Sequence, residues 1–173
     1  VAMKDLLSKV LDDILANVPK EKIDERVSLF KRNMHLLSYE VMANPIGVKG
    51  IGKYIAKDSE TSFAKYKKGA PVHVKAAINY NSLIDHWYEG KRYEKISNGT
   101  KIRWVYLKEN TFGFDAIAFK GHEDPREILE LIKNHIDHNK MYEQAMSKKL
   151  GMFYKAMHWG GVEDKTTSMN RFF

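Results

Sequence analysis

Seven histidines and no cysteine bound the chemistry this chain can hold. His135 and His138 stand three residues apart with Asp137 between them, a spacing that on one helix brings two imidazoles to the same face, as a metal site needs. No third ligand follows at a recognisable spacing, and the plainer reading is a pair of polar residues at a helix junction, with His138 or Asp137 capping the next helix. Asp12 and Asp13 are adjacent carboxylates. Two-metal phosphoryl transfer requires carboxylates that converge, whereas neighbours on a helix diverge, so these two read as a solvated face. "GVKGIGK", Gly47 to Lys53, carries glycines that let backbone N–H groups approach an anion. It lacks the spacing of a Walker A or dinucleotide motif, so it fits contact with a nucleic-acid phosphate better than a nucleotide cradle. No Ser, His and Asp set stands out as a nucleophilic triad. The absence of cysteine removes disulfides, thiolate catalysis and Cys-based zinc sites, and fits a reducing compartment. On residues alone this is a binding piece rather than a catalytic one.

Charge says what it would bind. The formal net charge is +7, and residues 53–103 hold 11 Lys and Arg against 5 acids, whereas residues 1–52 hold 8 against 7 and residues 104–173 hold 10 against 10. Six of the seven net charges therefore fall in one stretch, which also carries Tyr54, Tyr66, Tyr80, Trp87 and Tyr93. A basic face interleaved with aromatics points to a polyanion, nucleic acid before others; a solvated charged surface is the plain alternative.

These residues need elements to position them. "VAMKDLLSKVLDDILANV" places Leu7, Val10 or Leu11, Ile14 and Val18 at helical spacing, with Pro19 as the stop. A second helix runs through "KIDERVSLFKRNMHLL" on Ile23, Val27, Phe30, Met34 and Leu37, and Ser38 can cap the short piece "SYEVMA". The glycine- and lysine-rich run from Asn44 to Pro71 fits neither period and reads as a long loop, a contact surface because loops of that length are uncommon without a function. "PVHVKAAINYNSLIDHWY" reads as a helix with Val74, Ala77 or Ile78, Leu83 or Ile84 and Trp87 inside. "TKIRWVYLK" alternates Ile102, Trp104 and Tyr106 against Lys101, Arg103, Val105 and Leu107, and with "FDAIAFK" across the "ENTFG" turn it predicts an antiparallel hairpin over 99–120. Asp124, Pro125 and Glu127 read as a helix start with the Asp124 carboxylate as cap. Ile128, Leu131 or Ile132 and Ile136 line the helix that follows; Met141, Ala145, Leu150, Phe153 and Met157 line the last one, which Gly160 and Gly161 end.

At 173 residues, 43% hydrophobic and 29% charged, the chain is about one domain of ordinary globular composition, with neither a membrane-length apolar run nor a signal sequence. A soluble intracellular protein is expected. The first residue is Val1, which suggests a piece of a longer protein or a processed one. The fold class expected is α+β, mostly helical with a small antiparallel hairpin.

"KKGAPVHVKAAINYN", Lys67 to Asn81, resembles the thumb of phage family B DNA polymerases, where a glycine-proline step, a His-Val-basic step and a small-residue helix ending in Tyr-Asn open the central thumb helix. The resemblance continues in order. "IRWVYLKENTFGFDAIAF" is similar to the family's strand, Asn-x-Phe-Gly turn and second strand; "IDHNKMYEQAMSKKLGMFYKAMHW" is similar to its closing helix; and "KIDERVSLFKRNMHLLSYEVMANPIG" is similar to the helix and Gly-rich loop after the palm. It covers nearly the whole chain, and order and spacing carry it more than any one motif. The family's catalytic carboxylates, in Asp-x-x-Ser-Leu-Tyr-Pro and Asp-Thr-Asp motifs, are absent, and "GKRYEK" at Gly90 is out of place for the palm's Lys-Lys-Arg-Tyr motif.

The resemblance thus implies a thumb domain over 1–161, with its Gly/Lys-rich DNA-contacting loop at 46–70, and a clamp-binding tail over 162–173. Duplex primer-template DNA, a sliding clamp and the remaining palm, fingers and exonuclease are the implied partners. The chain itself needs no cofactor, Mg2+ belonging to the palm, and its compartment is the cytoplasm of a bacterial host. Onto the family's pattern fall Lys53 and Tyr54 in the loop, Lys67, Lys68, His73 and Lys75 at the start of the central helix, and Lys148 in the last helix; Lys149 joins them by proximity. Asp115 stands where some relatives have a basic residue. "TTSMNRFF" resembles the family's terminal clamp peptide, with Met169, Phe172 and Phe173 on one side of a helical turn. Folding of the two phenylalanines back onto the chain's own core is the alternative. Two rivals remain at this level: a split subunit completed by a separate palm chain, and a free-standing nucleic-acid-binding or scaffold protein.

Overall fold

The computed structural model describes residues 1–56, 63, 65–88, 92–121 and 123–164. In chain order, α1 (Ala2–Leu15), α2 (Lys20–Asn33), a 3₁₀ turn (Met34–Leu36) and α3 (Tyr39–Met42) lead to β1 (Ile46–Gly47), α4 (Ile51–Tyr54), β2 (Ile55–Ala56) and β3 (Lys65–Tyr66). Then follow α5 (Val72–Tyr88), β4 (Lys101–Tyr106), β5 (Ala116–Phe119), α6 (Arg126–His135), α7 (His138–Tyr142), a π turn (Glu143–Ser147) and α8 (Lys148–Ala156). The fold is α+β and mostly helical, with one three-stranded and one two-stranded antiparallel sheet. The chain divides into two compact units, one formed by Val1–Met42 with the chain from His138 onward, the other by Ala43–Asp137.

Among the described residues the first unit has helices and no strand. α1 buries Met3, Leu6 and Val10; of the expected stripe Val10 is buried and Leu7 and Ile14 are half-buried, while Leu11 and Leu15 are exposed. It stops at Leu15 because Asn17 turns left-handed (φ +57°), so that Asn17 N–H donates to the Ile14 carbonyl and Val18 N–H to that of Asp13. That is a Schellman end, and asparagine tolerates the conformation better than most residues. Asn17 therefore ends the helix, while Pro19 caps α2. α8 ends the same way at His158 (φ +57°), with Trp159 N–H on the Tyr154 carbonyl, ahead of Gly160 and Gly161. The π turn explains a second departure. It inserts an extra residue into the helical period, so Met141, Met146, Leu150 and Tyr154 are buried, whereas Ala145 and Phe153 are half-buried and Met157 is exposed. Asp24 is buried on α2, its two oxygens taken by Tyr154 Oη and Lys20 Nζ, each at 2.6 Å, which is how a carboxylate tolerates burial.

The second unit is built around α5, whose Val74, Ala77, Ile78, Leu83 and Ile84 are buried, with Trp87 only half-buried. α5 packs on β5, all four residues of which are buried. β4 and β5 form the expected hairpin, in the register Arg103↔Phe119 to Tyr106↔Ala116, and β1 adds a third strand through Ile46↔Ile102. Burial along β4 does not simply alternate: Ile102, Val105 and Leu107 are buried, while Trp104 and Tyr106 are half-buried and meet edge to face at 4.8 Å. Asp124 does not cap α6. It is buried, accepts from the Lys120 and Gly121 N–H groups and from Tyr80 Oη, and leaves Pro125 as the cap residue.

Candidate nucleic-acid interface

The glycine- and lysine-rich run between α3 and α5, read above as a loop, contains β1, α4, β2 and β3. Two-residue strands and a four-residue helix are too short to leave a periodic signal. Tertiary hydrogen bonds hold the run instead. Val48 N–H donates to the Thr100 carbonyl, Gly99 N–H to that of Val48, and Ile51 N–H to Asn98 Oδ1. Gly50, with φ +82°, makes the left-handed turn into α4 and lies against the Tyr54 ring.

α4 exposes Lys53 and half-buries Tyr54. Pairing of Ile55 with Tyr66 brings β3 alongside, and Lys67 N–H donates to the Tyr54 carbonyl at 2.7 Å. Lys67 and Lys68 are exposed on a tight turn, closed by Ala70 N–H on the Lys67 carbonyl, whose third residue is Gly69 at φ +84°. The chain then enters α5 at once, with half-buried His73 and Lys75 in its first turn. Five predicted residues, Lys53, Tyr54, Lys67, Lys68 and Lys75, are thus drawn together by short-range pairing, with His73 beside them.

The run is rich in cations: residues 43–75 hold seven lysines against two acids, Asp58 and Glu60, which lie outside the described residues together with Lys57. Lys53, Lys67, Lys68 and Lys75 form no ion pair among the described residues. α5 has no acid in its first turn, so the positive end of a 17-residue helix adds to the lysines rather than being neutralised. Two of the ammonium groups lie over aromatic faces, Lys53 Nζ at 5.2 Å from the Tyr54 ring centroid and Lys75 Nζ at 5.7 Å from that of Tyr66.

Tyr66 was marked in the sequence only as one of the aromatics of the basic stretch, and Asn79 was not singled out. The Tyr66 hydroxyl donates to Asn79 Oδ1, and Asn79 Nδ2 donates to the Ala116 carbonyl of β5 at 2.8 Å. Burial pushes the Tyr66 phenol above its ordinary range, the hydrogen bond to Asn79 offsets part of that, and the Asp115 carboxylate nearby pushes it up further. The signal for Asn79 was there, as a polar residue within an otherwise apolar run of a core helix. Asp115 is exposed and sits on the edge of this group through its field on Tyr66.

Lys148 and Lys149 belong to the first unit, exposed on the first turn of α8. Met169, Phe172 and Phe173 lie outside the described residues. Among the described residues no group of three or more His, Asp or Glu side chains could hold a metal ion. His138 donates from Nε2 to the Leu37 carbonyl, and Asp13 pairs with Arg26 at 2.8 Å, so both are engaged structurally. No helix among the described residues is long and apolar enough to cross a membrane. Compared with known proteins, the chain matches no family model and no curated protein.

Proposed function

We propose that this chain grips duplex DNA through its backbone, as the thumb of a phage-type family B DNA polymerase does, in the cytoplasm of a bacterial host. The carrying observation is the group of lysines at the start of α5, held together by paired backbone. Lysines reach phosphates as point charges and the tyrosines beside them offer rings to sugars, a combination that gives affinity and register without reading sequence. Lys148 and Lys149 add phosphate contacts from α8, and Met169, Phe172 and Phe173 tether the enzyme to a sliding clamp.

Polymerisation needs the carboxylates of a palm, so the chain alone binds and does not extend primers. Mixing it with a palm and exonuclease chain and recovering primer extension would mark it as a subunit of a split enzyme. The grip itself is tested by equilibrium binding to primer-template duplexes of two unrelated sequences. Equal affinities that fall together with added salt are expected; strong discrimination between the two sequences, or no binding to either, contradicts the reading.

A further inference from the structure

We propose that Tyr66 is a positioning residue that aims Lys75 at the duplex backbone, an inference that rests on the grip described above. Lys75 and Asn79 are four apart on α5 and therefore stack on one face of the helix, one turn from each other. Tyr66 lies along that turn. Its hydroxyl is bound by Asn79 Oδ1, and its ring faces Lys75 Nζ at 5.7 Å. Asn79 is itself 1% exposed and fastened to the Ala116 carbonyl at 2.8 Å. The path from β5 through Asn79 to the Tyr66 ring therefore gives a flexible lysine stem a fixed aromatic platform. An ammonium held over a ring loses less rotamer freedom when it meets a phosphate, and lysine otherwise has much to lose.

The test is a double-mutant cycle read by duplex affinity across a salt series, with thermal unfolding measured in parallel. Lys75→Ala is expected to weaken duplex binding about tenfold, and to reduce the salt slope by about 0.9, as for one lost phosphate contact. Tyr66→Phe keeps the ring and removes only the tether. It is expected to weaken binding about threefold in the wild-type background and to have no further effect beside Lys75→Ala. If Tyr66→Phe unfolds the chain, Tyr66→Phe with Asn79→Leu removes the bonded pair together, at the cost of the Asn79 donor to the Ala116 carbonyl, and must show the same coupling to Lys75. Tyr66→Phe binding as tightly as wild type, or weakening both backgrounds by the same factor, overturns the proposal while leaving the grip intact. Lys75→Ala with unchanged affinity and slope overturns the grip at Lys75 and the positioning role with it.

Discussion

Tyr80 donates its hydroxyl to Asp124 Oδ1 at 2.8 Å, across 44 residues of sequence and with both side chains buried. The other carboxylate oxygen accepts the N–H groups of Lys120 and Gly121, so one aspartate fastens the end of β5 to the core helix α5. Asp124→Ala would orphan a phenol and two amides at once. A loss of about 3 kcal/mol in unfolding free energy is expected by denaturant titration, against about 1 kcal/mol for Tyr80→Phe, which leaves the two amide bonds in place.

Alkaline stability follows from the same pair and its counterpart in the other unit. Burial first, and then the facing carboxylates of Asp124 and Asp24, push the Tyr80 and Tyr154 phenols well above their ordinary range. Their protonated forms are favoured by folding, so their contribution is fully present below about pH 10, the ordinary phenol value, and is lost as pH rises above it, where only the unfolded chain releases these protons. Unfolding midpoints measured from pH 8 to 11 should stay level and then fall. Tyr154→Phe should flatten the fall.

Asp115 is an exposed carboxylate beside an otherwise cationic group. Replacing it by lysine changes the local charge by two in favour of a polyanion. Duplex affinity at low salt should rise about fivefold, and the gain should shrink as salt screens it. An unchanged affinity at low salt would place Asp115 away from the bound backbone.

The tail carries its own prediction. Deleting Met169 to Phe173 should abolish binding to the sliding clamp while leaving the unfolding temperature and duplex affinity unchanged, because two aromatic anchors supply most of such an interface. A fall in thermal stability instead would mean that the two phenylalanines pack on the chain's own core.

What could be read from sequence depended on run length. α5, the 99–120 hairpin and the Ile128–Ile136 stripe have periods sustained over several residues, and each appears where expected. The segment from Ile46 to Tyr66 does not, since its elements are two to four residues long and are held by partners such as Asn98 and Thr100 about 50 positions away. The closing helix misled for another reason: a π turn at Glu143–Ser147 shifts the buried face, so Met146 and Tyr154 replace Ala145 and Phe153. At the candidate interface the basic stretch was legible from charge, with Tyr66 among its aromatics, and the individual lysines from the resemblance; the link from Tyr66 to Asn79 was not, because a hydrogen bond between positions 13 apart leaves no local pattern.

The central claim is that the lysines at the start of α5 meet duplex phosphates. Its most direct measurement is the salt dependence of duplex affinity for the wild-type chain and for Lys67→Glu, Lys68→Glu, Lys75→Glu combined. Each phosphate contact contributes about 0.9 to the slope of log affinity against log salt, so the variant should bind more weakly and lose about 2.7 from that slope. A variant that folds as the wild type does and retains both its affinity and its slope would contradict the claim.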